Sequence, residues 1–488
     1  MPRDSGGAVA IARARRRWPR IELDGASAKA IFGAVGHRSL SDVRVLYSSP
    51  KESRMTYRSA MIRTFAATAA AGIFAAVALA QPAPSPGGRG RGPAVVSPEL
   101  KPDGRVVFRI FAPNAAKVAL NAGDITILFT GGGAGAITGT NIATVMPATP
   151  LPEGGPVFTK NEAGIWETTV GPLPPGAYRY VFQVDGVRVL DPVNTRTAES
   201  RDNMWSLFTV PGAEMMDTTD VPHGAVAEIF YYSSVLKATR RMHIYTPPGY
   251  EAGNQKYPVF YLLHGAGDTD DAWTSVGRAN FIFDNLIAGN KAKPMIVVMP
   301  AGHQPIALGA LSAGAGLAPT PAPRVNAFTN EFITDMLPYV EKHYRTINDR
   351  QHRAIAGLSM GGGQTLDIAF THLNLFGQIG VFSSGASLGG GRGRGAGAAA
   401  GAPTAAQPAR LDWESTHLAD LDNASLKKGT KLIWLSTGKD DRLIASTQST
   451  VELLKKHGFA PVFIESPGAH SWFNWRNYLI EFTPQLFR

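Results

Sequence analysis

From residue 242 onward, short and nearly unbroken apolar runs alternate with longer stretches of helical period. The runs are Met242–Thr246, Pro258–Leu263, Met295–Met299, Arg353–Ala356, Gly377–Phe382, Lys431–Ser436 and Pro461–Glu465. Strands covered on both faces of a parallel sheet read this way, because neither face meets water. Between them, Glu331–Tyr344, Gly362–Thr371 and Thr447–His457 repeat at helical spacing, and a last helix is expected to begin near Trp472. Strands alternating with helices predict an α/β domain over residues 221–488, built on a mainly parallel sheet flanked by helices.

Residues 97–211 follow another rule. Short β-rich segments (Arg105-Val-Val-Phe-Arg-Ile-Phe-Ala-Pro, Lys117-Val-Ala-Leu, Ile165-Trp-Glu-Thr-Thr-Val, Tyr178-Arg-Tyr-Val-Phe-Gln-Val) are separated by Gly and Pro, and Asp185-Gly186 marks a tight hairpin. This pattern predicts a β-sandwich. Two segments interrupt the α/β domain, near residues 304–323 and 385–410, and both are rich in Ala and Gly. They read as surface insertions, with a mobile lid as the alternative, since both follow strand C-terminal ends where such sheets carry their sites.

Charge changes the picture less than its total suggests. The formal net charge is +10, but the first 80 residues carry 13 Lys or Arg against five acids, so the rest is close to neutral. A basic nucleic-acid-binding face on the folded part is therefore excluded as an expectation. Residues 1–60 read as a spurious or disordered N-terminal extension. Residues 61–80, from Met61-Ile-Arg-Thr-Phe to Ala78-Leu79-Ala80, read as a secretory signal cleaved before Gln81. An apolar stretch of roughly 16 mostly Ala residues is too short to serve as a stable membrane anchor. Residues 81–96, rich in Pro, Gly and Arg, read as a linker. The chain has no cysteine, which excludes disulfides, thiolate metal sites and cysteine nucleophiles together. Its histidines lack ligand spacing, so no metal or cofactor is implied.

The candidate chemistry centres on Gly357-Leu358-Ser359-Met360-Gly361. A G-x-S-x-G match means little in a glycine-rich chain, but here an apolar strand precedes it and a helix follows. That setting makes Ser359 a nucleophile candidate. A serine hydroxyl needs a base and the base needs an acid, in the order Ser, acid, His. His470 follows the last strand in Pro467-Gly-Ala-His-Ser-Trp. Asp440 and Asp441 follow the strand before it; Asp441 is chosen as the acid, with Asp440 left to cap a helix or face solvent. For the oxyanion, the backbone amide of Met360 is one expected donor. The other is that of Ala266, in the turn His264-Gly265-Ala266-Gly267. His264 reads as a packed or turn-bonding histidine. Trp472 and His303 are candidate substrate contacts, with packing as the alternative for each.

Several motifs carry a resemblance: Thr246-Pro-Pro-Gly-Tyr-Glu, Leu262-Leu-His-Gly-Ala-Gly-Asp, Val298-Met-Pro-Ala-Gly-His, Ala356-Gly-Leu-Ser-Met-Gly-Gly and Gly468-Ala-His-Ser-Trp-Phe-Asn-Trp-Arg. Residues 221–488 resemble the esterase D-like carbohydrate esterases of family one, which include feruloyl and acetyl xylan esterases. Phe108-Arg-Ile-Phe-Ala-Pro-Asn, Gly164-Ile-Trp-Glu-Thr-Thr-Val and Asp191-Pro-Val-Asn resemble the early-set domain of carbohydrate-binding module family forty-eight, departing from it at Ile125, where an atypical insertion begins. The resemblance implies an α/β-hydrolase domain preceded by an immunoglobulin-like β-sandwich. It implies a secreted serine carboxylic ester hydrolase acting through a Ser-His-Asp triad and an acyl-enzyme, with a polysaccharide-borne ester as substrate. Siderophore esterases and acyltransferases share this machinery, and a non-catalytic carbohydrate-binding protein is the alternative from another class.

Overall fold

The computed structural model describes residues 93–125, 155–304, 327–386 and 413–488. The expected extension, signal segment and most of the linker lie outside them, as does nearly all of both interrupting segments and of the insertion after Ile125.

The first strands are β1 (Glu99–Leu100), β2 (Val106–Phe111), β3 (Val118–Asn121), β4 (Thr159–Lys160), β5 (Ile165–Val170), β6 (Gly176–Val184), β7 (Val187–Val189), β8 (Thr197–Glu199) and β9 (Met204–Val210). They form two antiparallel sheets, ordered β1-β2-β5-β4 and β3-β6-β9-β8, with β7 paired to β6. Phe108, Tyr178, Tyr180, Phe182 and Phe208 fill the space between. Asp185 and Gly186 both have positive φ, 49° and 86°, and join β6 to β7 in the two-residue turn their sequence predicts.

The third sheet has eight strands: β10 (Ala225–Ser233), β11 (Ala238–Thr246), β12 (Val259–Leu263), β13 (Ile296–Pro300), β14 (Arg353–Leu358), β15 (Gln378–Phe382), β16 (Leu432–Gly438) and β17 (Val462–Ser466). Their order is β10-β11-β13-β12-β14-β15-β16-β17. The hairpin β10–β11 is antiparallel and joins β13 antiparallel, and every pairing from β13 across to β17 is parallel. Side-chain alternation divides the inner strands between two cores. On β12, Val259, Tyr261 and Leu263 enter one apolar cluster, while Phe260 and Leu262 enter the other. An α/β-hydrolase sheet results, preceded by a β-sandwich.

Helices cover both faces: α1 (Ala279–Ala288), α2 (Ala327–Glu331), α3 (Leu337–His343), α4 (Met360–Thr371), α5 (Trp413–Leu421), α6 (Ala424–Gly429), α7 (Ile444–Lys456) and α8 (Trp472–Phe482). The single helix expected over Glu331–Tyr344 is instead α2, a π-turn at Phe332–Met336, and α3. Pro338 explains the break, since its ring nitrogen has no hydrogen to give to the preceding turn.

The sandwich docks on the face carrying α1 and α8. Ala177, Ala198 and Leu207 join Phe283, Trp472 and Leu479 in one core. Arg476 on α8, fully buried, donates from Nη1 to the carbonyls of Ala177 and Val276, both at 3.0 Å. Tyr178 packs against Phe473 with ring centres 5.5 Å apart.

Candidate active site

Ser359 sits between the end of β14 and the first turn of α4, with φ 51° and ψ −114°. A side chain in this region of backbone is strained, so surrounding contacts must hold it there. Its N–H donates to Phe382 O at 2.9 Å, and its carbonyl accepts from Ser384 Oγ at 2.7 Å. The flanking glycines leave no space for substituents. A Cβ on Gly357 would lie 2.4 Å from the Gly361 carbonyl, and one on Gly361 would lie 2.6 Å from His264 O. The elbow is therefore pressed directly against the end of β12.

The structure brings three expected residues into one line. His470 Nε2 is 2.9 Å from Ser359 Oγ, and His470 Nδ1 is 2.9 and 3.1 Å from the two oxygens of Asp441. Asp441 is 2 % exposed and also accepts the Leu443 amide at 2.9 Å. Burial alone would raise the Asp441 carboxyl, yet the hydrogen bond and charge of His470 hold it below its ordinary value. The carboxylate thus stays ionised behind the imidazole. Asp440 faces solvent, and its backbone amide donates to Gly468 O at 2.9 Å, tying the acid loop to the histidine loop. Trp475 stands edge-on to the His470 ring, 4.9 Å between centres.

Opposite the elbow lies the turn after β12. A Cβ on Gly265 would be 3.7 Å from Ser359 Cβ, and the Asp268 amide closes the turn onto Gly265 O at 3.1 Å. Ala266 is the second residue of this turn and is exposed. Met360 opens α4, where helix N–H groups lack intrahelical acceptors and the helix dipole favours negative charge. Among the described residues, neither the Met360 nor the Ala266 amide has a backbone acceptor.

His264 belongs to the scaffold. The Gly302 amide donates to its Nε2 at 2.8 Å, so the ring proton is on Nδ1, which donates to Gly265 O at 2.8 Å. Gln364 Nε2 on α4 donates to Gly302 O at 2.8 Å, completing a bridge between the elbow helix and the turn. Burial lowers the His264 pKa from an ordinary 6.5 to about 4, because the charged ring has no water around it. A histidine depressed in the folded state destabilises that state wherever the unfolded chain takes up a proton and the folded one does not. Stability is therefore expected to be full above pH 6.5 and to fall as pH drops toward 4, by about 3 kcal/mol from this group. Thermal melts across that window should show a shallower pH slope in a folded His264→Gln variant; an unchanged slope would remove His264 from the account.

The expected substrate contacts fare differently. Trp472 is 2 % exposed, edge-on to Trp273 and Trp475 at 5.1 and 5.4 Å. α8 turns this indole inward, where it packs the core, the alternative that the sequence offered for it. His303 is half-buried, with Nε2 3.1 Å from Asp268 O and its ring 5.2 Å from that of His264. Sequence reasoning assigned no role to Asp268, Gln364 or Ser384. Asp268 ends the quoted motif Leu262-Leu-His-Gly-Ala-Gly-Asp and was visible there; Gln364 and Ser384 carry no signal of their own.

A hydroxyl hydrogen-bonded to an imidazole that is backed by a buried carboxylate can attack a carbonyl carbon. Fold and site together define an α/β-hydrolase with a serine-histidine-aspartate constellation. A family model named Esterase (Putative esterase) matches residues 233–486, and the chain belongs to that family.

Among curated proteins, the chain is 27% identical over 401 residues to an endo-1,4-beta-xylanase/feruloyl esterase of Xylanibacter ruminicola, covering 80% of this chain and 46% of that protein. It is 24% identical over 276 residues to endo-1,4-beta-xylanase Y of Acetivibrio thermocellus, covering 52% of this chain and 22% of that protein. The chain thus spans less than half the length of these relatives. Among solved structures, a ferulic acid esterase of Anaeromyces mucronatus is 25% identical, with 57% of this chain and 96% of that chain covered at a TM-score of 0.44. The enterobactin esterase of Shigella flexneri is 15% identical, with 78% and 93% covered at a TM-score of 0.48.

Proposed function

We propose that this chain is a serine carboxylic ester hydrolase acting on esters borne by plant cell wall polysaccharide, of the feruloyl or acetyl xylan type. The observation that carries the reading is the continuous hydrogen-bonded line from Asp441 through His470 to Ser359. Family membership supports ester chemistry, and the feruloyl esterase named among the curated relatives supports the substrate class.

In this reading Ser359 Oγ attacks the ester carbonyl while His470 Nε2 takes its proton. The tetrahedral oxyanion is held by the amides of Met360 and Ala266, and the alcohol leaves with the proton from His470. Water, deprotonated by the same imidazole, then releases the acid from the acyl-enzyme. Asp441 keeps the proton of His470 on Nδ1, leaving Nε2 free to accept. Export through the segment ending at Ala80 belongs to the same reading; N-terminal sequencing of exported protein should begin at Gln81.

The test of the substrate class is an ester panel of methyl ferulate, acetylated xylan and a triester siderophore. Turnover of ferulate or acetylated xylan in preference to the siderophore supports the proposal. Preference for the siderophore, or transfer to an added sugar hydroxyl instead of water, overturns it.

A further inference from the structure

The turn that carries Ala266 is gripped from outside the hydrolase domain. Arg179 on β6 of the sandwich donates from Nη1 to Asp268 Oδ1 at 2.8 Å, and from Nε and Nη2 to Asp124 at 3.0 and 3.1 Å. The side chains of Arg179, Asp124 and Asp268 are 15%, 13% and 8% exposed, so this network is largely withdrawn from water. Ser200 Oγ and the Arg201 amide both donate to Gly267 O, at 2.6 and 3.1 Å. The Glu199 amide donates to Asp271 Oδ2 at 2.8 Å.

These contacts bracket one short segment. Gly265, Ala266, Gly267 and Asp268 form a turn closed by the Asp268 amide on Gly265 O. Two glycines around an alanine give such a turn little conformational preference of its own. Its third residue is pinned through its carbonyl and its fourth through its carboxylate, and all of those donors belong to the sandwich. The turn that carries the Ala266 amide is held from the hydrolase side by His264 and His303 and from the other side by a domain that contributes nothing to the triad.

We propose that Arg179 is a positioning residue for the oxyanion turn, acting through Asp268, so that the β-sandwich completes the active site. The inference rests on the reading of Ser359 as the nucleophile and of the Ala266 amide as an oxyanion donor. Arg179 touches neither substrate nor reacting atoms. Its loss frees the turn, and the transition-state oxyanion suffers more than the bound ester, because the donor is needed most where charge develops.

The experiment uses the full chain with methyl ferulate and compares Arg179→Met, Arg179→Lys, Asp268→Asn and the double variant Arg179→Met/Asp268→Asn. Ser359→Ala is the reference, and kcat, KM, Tm and inhibition by phenylboronic acid, a mimic of the tetrahedral species, are read for each. Arg179→Met should lower kcat about 10- to 100-fold with KM within about threefold, and weaken boronate inhibition in proportion to kcat. Arg179→Lys should recover part of the loss. Asp268→Asn should resemble Arg179→Met, and the double variant should lose little more than either, the mark of residues acting as a unit.

A folded Arg179→Met protein with wild-type kcat and boronate affinity, or one in which only Tm falls, overturns the proposal. Should Arg179→Met fail to fold, Ser200→Ala carries the test, since it removes one donor to Gly267 O and leaves the ion pair. It should lower kcat and boronate affinity together by about two- to tenfold, and unchanged values overturn the proposal. Wild-type hydrolysis that survives in Ser359→Ala overturns both this proposal and the function on which it rests. An inactive Ser359→Ala beside a fully active Arg179→Met overturns this one alone.

Discussion

Replacing Ser359 with Ala is expected to lower kcat for ester hydrolysis by about 10⁴-fold or more while leaving the fold intact. The substitution removes one oxygen, the atom 2.9 Å from His470 Nε2 that would form the acyl bond. Among the described residues, no other nucleophile hydrogen-bonds to His470 Nε2. The chain has no cysteine, and the hydroxyl of neighbouring Ser384 is committed to the Ser359 carbonyl at 2.7 Å. His470→Ala should cost nearly as much, and the double variant no more than the worse single one, because nucleophile and base act as a unit. Initial rates at saturating ester with unchanged circular dichroism check this. A Ser359→Ala enzyme retaining a tenth of wild-type activity would move the chemistry elsewhere.

The second large effect separates two adjacent carboxylates. Asp441→Asn is expected to lower kcat by about 10³- to 10⁴-fold, because an amide can donate to Nδ1 and drive the ring proton to Nε2, where it blocks acceptance from Ser359. Asp440→Asn should leave kcat within about twofold, since its side chain faces solvent and the contact it makes with Gly468 is through its backbone amide. Equal losses in the two variants would reassign the acid.

These neighbours also mark how far sequence reasoning reaches. The order of motifs after β14 narrows the acid to two neighbours, of which the sequence reading prefers Asp441, but which one turns inward is decided by the loop after β16. The strands were legible wherever both faces are buried, as in Val259–Leu263 and Gln378–Phe382. Strand β10 was not, because Phe230 and Tyr232 lie 60% and 63% exposed on the sheet edge and obscure any alternation of apolar and polar positions. Helix α1 was also missed. Its buried residues include Asp284 and Asn285, so burial and polarity do not coincide there. Asp284 takes the Tyr245 hydroxyl at 2.7 Å and the Gly224 amide at 2.9 Å, which explains a carboxylate in the core.

Trp472 was open to two readings for the opposite reason. Proximity to His470 in the sequence suggested a place in the substrate site, whereas the first turn of α8 points it toward Trp273. The grip of the sandwich on the oxyanion turn had no sequence signal at all. Arg179 and Asp268 are 89 positions apart, in segments with unrelated periodicity, and only the docking of two domains brings them together.

The central claim, an acyl-enzyme on Ser359, is tested most directly by covalent labelling with a fluorophosphonate followed by peptide mass mapping. One label per chain is predicted, on the peptide containing Gly357-Leu358-Ser359-Met360-Gly361, with hydrolysis of methyl ferulate lost in step with labelling. A label on another residue, or full hydrolysis by a chain labelled at Ser359, would contradict it.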